Sequence, residues 1–211
     1  MIRLDNLNVI KGGKKILDID SLDLNDSKRI GIFGKNGAGK TTLVKCLIDM
    51  EDYSGNIEFN FHNPNTQVLM QKNSYPPYAK VKDVISLILN IPSLDSIYEF
   101  IQYLEFENCL DKYITYLSGG ELQKLNLILV LKNNPSLLIV DEATTGLDYE
   151  TRSKVIKYIG DFLSTCNCRL IMVTHYLEEL QRLTEKTIIL DEGRVVSICE
   201  SSEVKNRWES E

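Results

Sequence analysis

Gly34-Lys35-Asn36-Gly37-Ala38-Gly39-Lys40-Thr41 is the stretch that decides how this chain folds. The eight residues spell G-x-x-x-x-G-K-T, a glycine-rich turn of the kind that cradles phosphate groups. Upstream, Arg29-Ile30-Gly31-Ile32-Phe33 reads as a short buried strand. Downstream, Thr42-Leu43-Val44-Lys45-Cys46-Leu47-Ile48 reads as a helix with its apolar residues on one side. A strand running through such a turn into a helix N-terminus aims backbone N–H groups at one point, and the helix dipole favours negative charge there. Gly34, Gly37 and Gly39 let the backbone fold back without Cβ clashes. Lys40 is placed to reach β- and γ-phosphate oxygens, and the Thr41 hydroxyl to ligate Mg²⁺. The loop predicts a bound nucleoside triphosphate and says nothing of what its energy is used for.

The rest of the composition narrows the setting. With 211 residues, 43% hydrophobic and 26% charged, the chain suits one globular domain, or a domain with a sub-domain, around a well-buried core. A net charge of −6 argues against a nucleic-acid footprint, which is normally basic. No apolar run approaches the roughly 18 to 20 residues that span a bilayer. Leu125-Asn126-Leu127-Ile128-Leu129-Val130-Leu131 comes nearest and is too short, so no direct membrane insertion is expected. The N-terminus lacks the apolar core of a signal peptide, and the odd set Cys46, Cys109, Cys166, Cys168 and Cys199 contains no C-x-x-C pair. Reduced thiols in a cytosolic protein are expected.

Strand and helix signals alternate along the chain. Ile2 to Val9 and Ile16 to Leu24 read as strands joined by the turn Lys11-Gly12-Gly13-Lys14, and Ile57-Glu58-Phe59-Asn60-Phe61 alternates like a half-buried strand. These suggest a small antiparallel sheet beside the loop. Leu137-Leu138-Ile139-Val140 and Leu170-Ile171-Met172-Val173 are continuous apolar runs, as in a parallel sheet covered on both faces. Between Tyr78 and Tyr116 apolar residues recur at helical spacing, with Pro92 separating two helical parts. Helices are expected over about Tyr149 to Ser164 and from Leu177, followed by a hairpin turning at Asp191-Glu192-Gly193-Arg194. Only the last few residues read as loose.

Two further segments carry chemistry. Asp141-Glu142 closes the run Leu137 to Val140, placing two carboxylates at the C-terminal end of a buried strand, where doubly wound sheets bind ligands. Asp141 suits the Mg²⁺ shell, and Glu142 suits orienting and deprotonating an attacking water. In Leu117-Ser118-Gly119-Gly120-Glu121-Leu122-Gln123-Lys124, Ser118 can cap the helix that follows, and Gly119-Gly120 permits close approach to a ligand. By itself this segment reads first as a plain serine N-cap.

Taken in order, these motifs resemble those of the ABC ATPase family. Leu117 to Gln123 is similar to its signature loop. Gln71, after Val68-Leu69-Met70, resembles the Q-loop glutamine; Gly146-Leu147-Asp148 resembles the D-loop; His175, after Val173-Thr174, resembles the switch histidine. The resemblance runs from about Ile2 to Val196. It implies an α/β fold: a P-loop NTPase (RecA-like) core which, together with an antiparallel β sub-domain, takes in 1–72 and 132–211, and an inserted α-helical sub-domain (about 73–131). It also implies ATP and Mg²⁺ as cofactors and head-to-tail pairing with a second ATPase subunit, the same chain or another. ATP on Gly34, Asn36, Gly37, Ala38, Gly39, Lys40, Thr41 and Thr42 of one subunit would be closed over by Ser118, Gly119 and Gly120 of the other. By the same resemblance Gln71 senses the metal and γ-phosphate, His175 contacts the γ-phosphate, and Asp148 bridges the subunits. Because phosphoryl transfer to water is mostly positioning and charge stabilisation, completing the site by dimerisation can gate hydrolysis.

Three departures from the family pattern stand out. Ile10 occupies the place of an aromatic residue that stacks on adenine, which predicts poor discrimination between ATP and GTP. Ala143 replaces a common proline after Glu142, and the D-loop reads Thr145-Gly146-Leu147-Asp148. Lys124 stands for the usual arginine and lacks its planar fork. The sequence is read as the ATPase subunit of a transporter, cytoplasmic and held on the inner face of the cell membrane by a separate transmembrane permease. The small size and spare helical insert favour an exporter. A non-transport ABC ATPase acting on a protein or nucleic acid is the alternative. A nucleotide-holding module without turnover is disfavoured by Glu142, Gln71 and His175.

Overall fold

A computed structural model describes residues 2–61, 65–70 and 74–210. β1 (Ile2–Lys11) and β2 (Lys14–Asp23) form the expected hairpin through Gly12-Gly13. The chain then enters β3 (Arg29–Phe33), passes through the glycine-rich turn into α1 (Lys40–Leu47), and returns as β4 (Ser54–Phe59). β4 pairs with the free edge of β1, giving an antiparallel sheet of order β2-β1-β4.

The larger sheet adds β5 (Thr66–Met70), β6 (Leu137–Asp141), β7 (Arg169–Val173), β8 (Lys186–Asp191) and β9 (Arg194–Glu200) to β3. Its order is β5-β6-β7-β3-β8-β9, parallel through β8 with β9 antiparallel at the edge. All five residues of β6 are buried, and the four apolar ones alternate between two cores. Leu138 and Val140 join the helical side, while Leu137 and Ile139 meet α1 and the antiparallel sheet. A period of two on a sheet covered on both faces therefore appears in the sequence as an unbroken apolar run. Each such residue contributes roughly 1.5–3 kcal/mol by leaving water.

The helical side is built from α2 (Val81–Leu89), α3 (Tyr98–Tyr103), α4 (Gly119–Leu131) and α5 (Tyr149–Thr165). Leu125 to Leu131, the apolar run nearest in length to a span, is the buried second half of α4. That segment is buried on every side, as expected for a helix sunk in a core. No helix among the described residues is long and apolar enough to cross a membrane.

α6 (Leu177–Leu183) follows β7, and the chain closes on α7 (Val204–Ser210). The expectation of a loose end is corrected here. Val204 is fully buried in a third cluster with Phe33, Leu180, Ile189 and Cys199. Trp208 sets its ring edge-on to Phe33, centroids 5.1 Å apart. Seven residues with one tryptophan show too little periodicity for this helix to be legible in isolation.

Candidate functional site

Parallel pairing decides where the motif residues meet. Asp141 stands opposite Val173 and Ile32 opposite Val173 in the ladders, so β3, β6 and β7 end at the same level. The glycine-rich turn, the Asp141-Glu142 pair and the Thr174-His175 loop therefore emerge side by side at one edge of the sheet.

Two glycines of the turn are fixed by close packing. A Cβ on Gly34 would lie 2.1 Å from the Leu190 carbonyl oxygen, and one on Gly39 would lie 2.7 Å from Leu17 Cδ2, at a residue whose φ is +101°. Asn36 and Gly37 are exposed at the tip, Ala38 is buried, and Thr41 and Thr42 open the first turn of α1. Lys40 is only 5% exposed. Its ammonium donates to the Gly34 and Lys35 carbonyls at 2.9 and 3.0 Å and lies 3.6 Å from Glu142 Oε1. The lysine is thus folded back into its own loop, its charge held by carbonyl and carboxylate oxygens, the same kind of atom a triphosphate presents.

Glu142 sits just past β6 in a left-handed conformation, φ +50°. Its N–H donates to the Val173 carbonyl at 3.0 Å, and its own carbonyl accepts from Thr145 N at 3.0 Å. Such a conformation in a non-glycine residue costs on the order of 1–2 kcal/mol, and strain of this kind clusters at functional sites. The turn sends the carboxylate toward His175, whose Nε2 lies 2.7 Å from Oε1.

Asp141 is buried, with Thr41 Oγ1 3.5 Å from its Oδ1. Burial pushes its carboxyl above the usual range, and the neighbouring Glu142 adds to the rise. A cation beside Asp141 and Thr41 relieves both effects. Among the described residues no cluster of three or more His, Cys, Asp or Glu side chains could hold a metal alone. That donor set fits Mg²⁺, which is commonly held by one or two side chains together with substrate phosphates, and does not suit a fully protein-caged ion. Gln71, also expected to reach the metal, lies outside the described residues.

The remaining motif residues are not part of this cluster. Ser118 caps α4 in a reciprocal capping box: its Oγ accepts from Glu121 N at 3.2 Å, and Glu121 Oε2 accepts from Ser118 N at 2.8 Å. Lys112 holds Glu121 Oε1 at 2.7 Å and, with the Ser118 N–H, pulls that carboxyl down to about 2. Asp148 caps α5 through Thr151 N and Thr151 Oγ1, at 3.0 and 2.8 Å. A Cβ on Gly120 would come within 3.3 Å of Thr151 Cγ2, so the starts of α4 and α5 pack together. Among the described residues none of Ser118, Gly119, Gly120 and Asp148 hydrogen-bonds to the Gly34–Thr42 loop, and Ser118 and Gly119 are exposed. Lys124 lies 3.4 Å from the Glu105 carbonyl oxygen and 3.9 Å from its carboxylate. Ile10 is 66% exposed, at an irregularity in β1.

Several residues escaped the sequence reading. The S-x-x-E pattern from Ser118 to Glu121 is a legible capping-box signal. Glu179 is not legible: it is 4% exposed beside an exposed Glu178, and nothing local separates the two.

Comparison with known proteins identifies the family. The family model described as "ABC transporter" matches residues 17–145. The chain is 30% identical over 207 residues to the tungstate uptake system ATP-binding protein TupC of Peptoclostridium acidaminophilum, covering 92% of this chain and 96% of that one. It is 29% identical over 217 residues to the methionine import ATP-binding protein MetN of Clostridium tetani, covering 93% and 68%. Its fold matches cbiO1 of Clostridium perfringens, part of the ABC transporter complex cbiONQ, with TM-score 0.78, 22% identity and coverage of 99% and 92%. The two sequence relatives are named for uptake and import, so the expectation of an exporter is not kept. With the family model spanning more than half of its length, the chain belongs to the ABC transporter family, as an ATP-binding, ATPase subunit.

Proposed function

We propose that this chain hydrolyses ATP as one of two paired subunits and drives a separate transmembrane permease in the direction of uptake. The observation that carries the hydrolytic reading is the convergence on Glu142 Oε1 of His175 Nε2 at 2.7 Å and Lys40 Nζ at 3.6 Å. Three βα loops thereby bring a base, a γ-phosphate contact and a phosphate-binding lysine to one point. Lys40 would exchange its loop carbonyls for phosphate oxygens, leaving Glu142 to accept a proton from the attacking water while His175 holds the γ-phosphate end. Thr41 and Asp141, with Gln71, would hold Mg²⁺, which supplies charge neutralisation on the phosphates.

The pairing rests on the other half of the motifs. Ser118 and Gly119 present an exposed helix start that, among the described residues, bonds only within its own neighbourhood. A helix N-terminus favours an anion, and a second copy of the loop carrying ATP would supply one. Uptake is supported by the names of the relatives, and a permease partner by the complex to which cbiO1 belongs. Attachment to such a permease would place the chain on the cytoplasmic face of the membrane.

The test is Glu142→Gln. Expected are loss of ATP turnover by about 100-fold or more, retained ATP binding, and an ATP-dependent dimer in size-exclusion chromatography. Turnover at the unmodified rate would show that Glu142 is not the base. Co-purification with the product of a neighbouring permease gene separates transport from a soluble role.

A further inference from the structure

We infer that Glu179 is a positioning residue that sets the spacing between Glu142 and His175, an inference that rests on the hydrolytic reading above. The need for such a residue follows from the topology. β6 and β7 hold register as far as Asp141 and Val173, and one more backbone bond, Glu142 N to the Val173 carbonyl, extends it. Beyond that point the chain after β6 leaves for α5 and the chain after β7 leaves for α6, so the ladder no longer fixes one loop against the other.

Glu179, in the first turn of α6, spans that gap. Its Oε1 accepts from Thr144 Oγ1 at 2.8 Å, and its Oε2 accepts from Thr174 Oγ1 at 2.5 Å. Thr144 is two residues past Glu142, and Thr174 immediately precedes His175. Both threonines are 1% exposed. Thr174 Oγ1 also accepts from Tyr176 N at 3.1 Å, so the backbone is pinned on both sides of His175. The third contact comes from α5, the helix capped by Asp148. Arg152 Nε lies 3.9 Å from Glu179 Oε1, and its guanidinium lies over the Tyr176 ring at 3.8 Å. One rigid, two-oxygen carboxylate therefore ties together the loop of Glu142, the loop of His175 and the helix that begins at Asp148.

Stability alone is a poor reason for this arrangement. Burial pushes the Glu179 carboxyl above its usual range, so the charged form carries a desolvation penalty that a 3.9 Å ion pair offsets weakly. Fixed distance is what an apolar residue of the same volume cannot supply. A displacement of about 1 Å at reacting groups is enough for rate losses on the order of 100-fold.

The test uses the purified full-length chain, with steady-state ATP turnover, equilibrium binding of ATP and thermal melting measured on the same samples. Glu179→Ala is expected to lower kcat at least about tenfold, with KM and ATP Kd within about threefold of the parent. Glu179→Gln keeps the length of the spacer and is expected to recover most of the lost rate. In a His175→Ala background, Glu179→Ala is expected to cost no more than about another twofold, because the geometry it maintains is already gone. Should Glu179→Ala fail to fold, Thr144→Val removes a single tether and carries the same kcat and background comparison. An unchanged kcat, or an equal loss with and without His175, overturns the inference while leaving Glu142 as base. A parent chain that binds ATP and never turns it over overturns the hydrolytic reading itself.

Discussion

Glu142 and His175 lie on different βα loops, yet His175 Nε2 is 2.7 Å from Glu142 Oε1. The pairing exists because β6 and β7 are adjacent and parallel and because Glu142 adopts φ +50°, which turns its carboxylate across the strand ends. Lys40 shares the same oxygen at 3.6 Å. The three side chains thus meet at one carboxylate oxygen, and in the function proposed above an incoming γ-phosphate would take the place of that oxygen beside Lys40 and His175.

The His175–Glu142 contact sets the first prediction. His175→Ala is expected to lower kcat on the order of 100-fold, within the range for loss of one positioned acid–base or transition-state contact. ATP affinity should change by no more than about threefold, since Lys40 and the loop N–H groups remain. Steady-state kinetics with equilibrium nucleotide binding checks both; a large loss of affinity at unchanged kcat would reassign the histidine to ground-state binding.

Ile10 carries the second. An exposed isoleucine offers a purine only dispersion contacts, so ATP and GTP are expected to bind within about threefold of each other. Base–aromatic stacking is worth about 1–3 kcal/mol, so Ile10→Tyr should tighten ATP binding by at least about fivefold. Titration of both nucleotides into both proteins decides it, and a strong ATP preference in the unaltered chain would refute the reading.

The capping box gives a pH prediction. Lys112 and the Ser118 N–H hold the Glu121 carboxyl at about 2 in the folded chain, against an ordinary 4.5. A depressed carboxyl stabilises the fold above its ordinary value, and that contribution is lost as pH falls from 4.5 toward about 2. Glu121 is partly open to solvent, which screens the effect. Glu121→Gln is therefore expected to cost about 1 kcal/mol near neutral pH. The difference from the parent should shrink as the pH is lowered through that window. Urea denaturation at a series of pH values measures it, and a pH-independent difference would assign the loss to packing.

Trp208, the single tryptophan, tests whether the C-terminal helix matters to the loop it backs. Its ring packs on Phe33, which immediately precedes Gly34, and Lys35 Nζ lies 5.6 Å from the ring centroid. Trp208→Ala is expected to destabilise the fold by about 1–2 kcal/mol, of which roughly 0.5–1.5 kcal/mol is coupling to Phe33. A double-mutant cycle with Phe33→Leu measures that coupling, and a value near zero would mean the two rings touch without consequence.

Most elements, though not the helix Val204–Ser210, and the family were legible in the residues alone. Gly34 to Thr41 between a strand and a helix, the apolar runs ending at Val140 and Val173, and the hairpin turning at Asp191 to Arg194 all lie where local rules put them. Each depends on nearest-neighbour chemistry: periodicity, glycine conformations, capping. Which loops meet depends instead on how the strands are ordered in the folded sheet. The order β5-β6-β7-β3-β8-β9 brings Lys40, Glu142 and His175 to one edge. The burial of Glu179 beside the exposed Glu178, and the docking of Trp208 on Phe33, depend on contacts between segments far apart in the chain. A side chain's local sequence does not encode how far it sits from water, so the carboxylate that ties the site's loops together became visible only once those loops were packed.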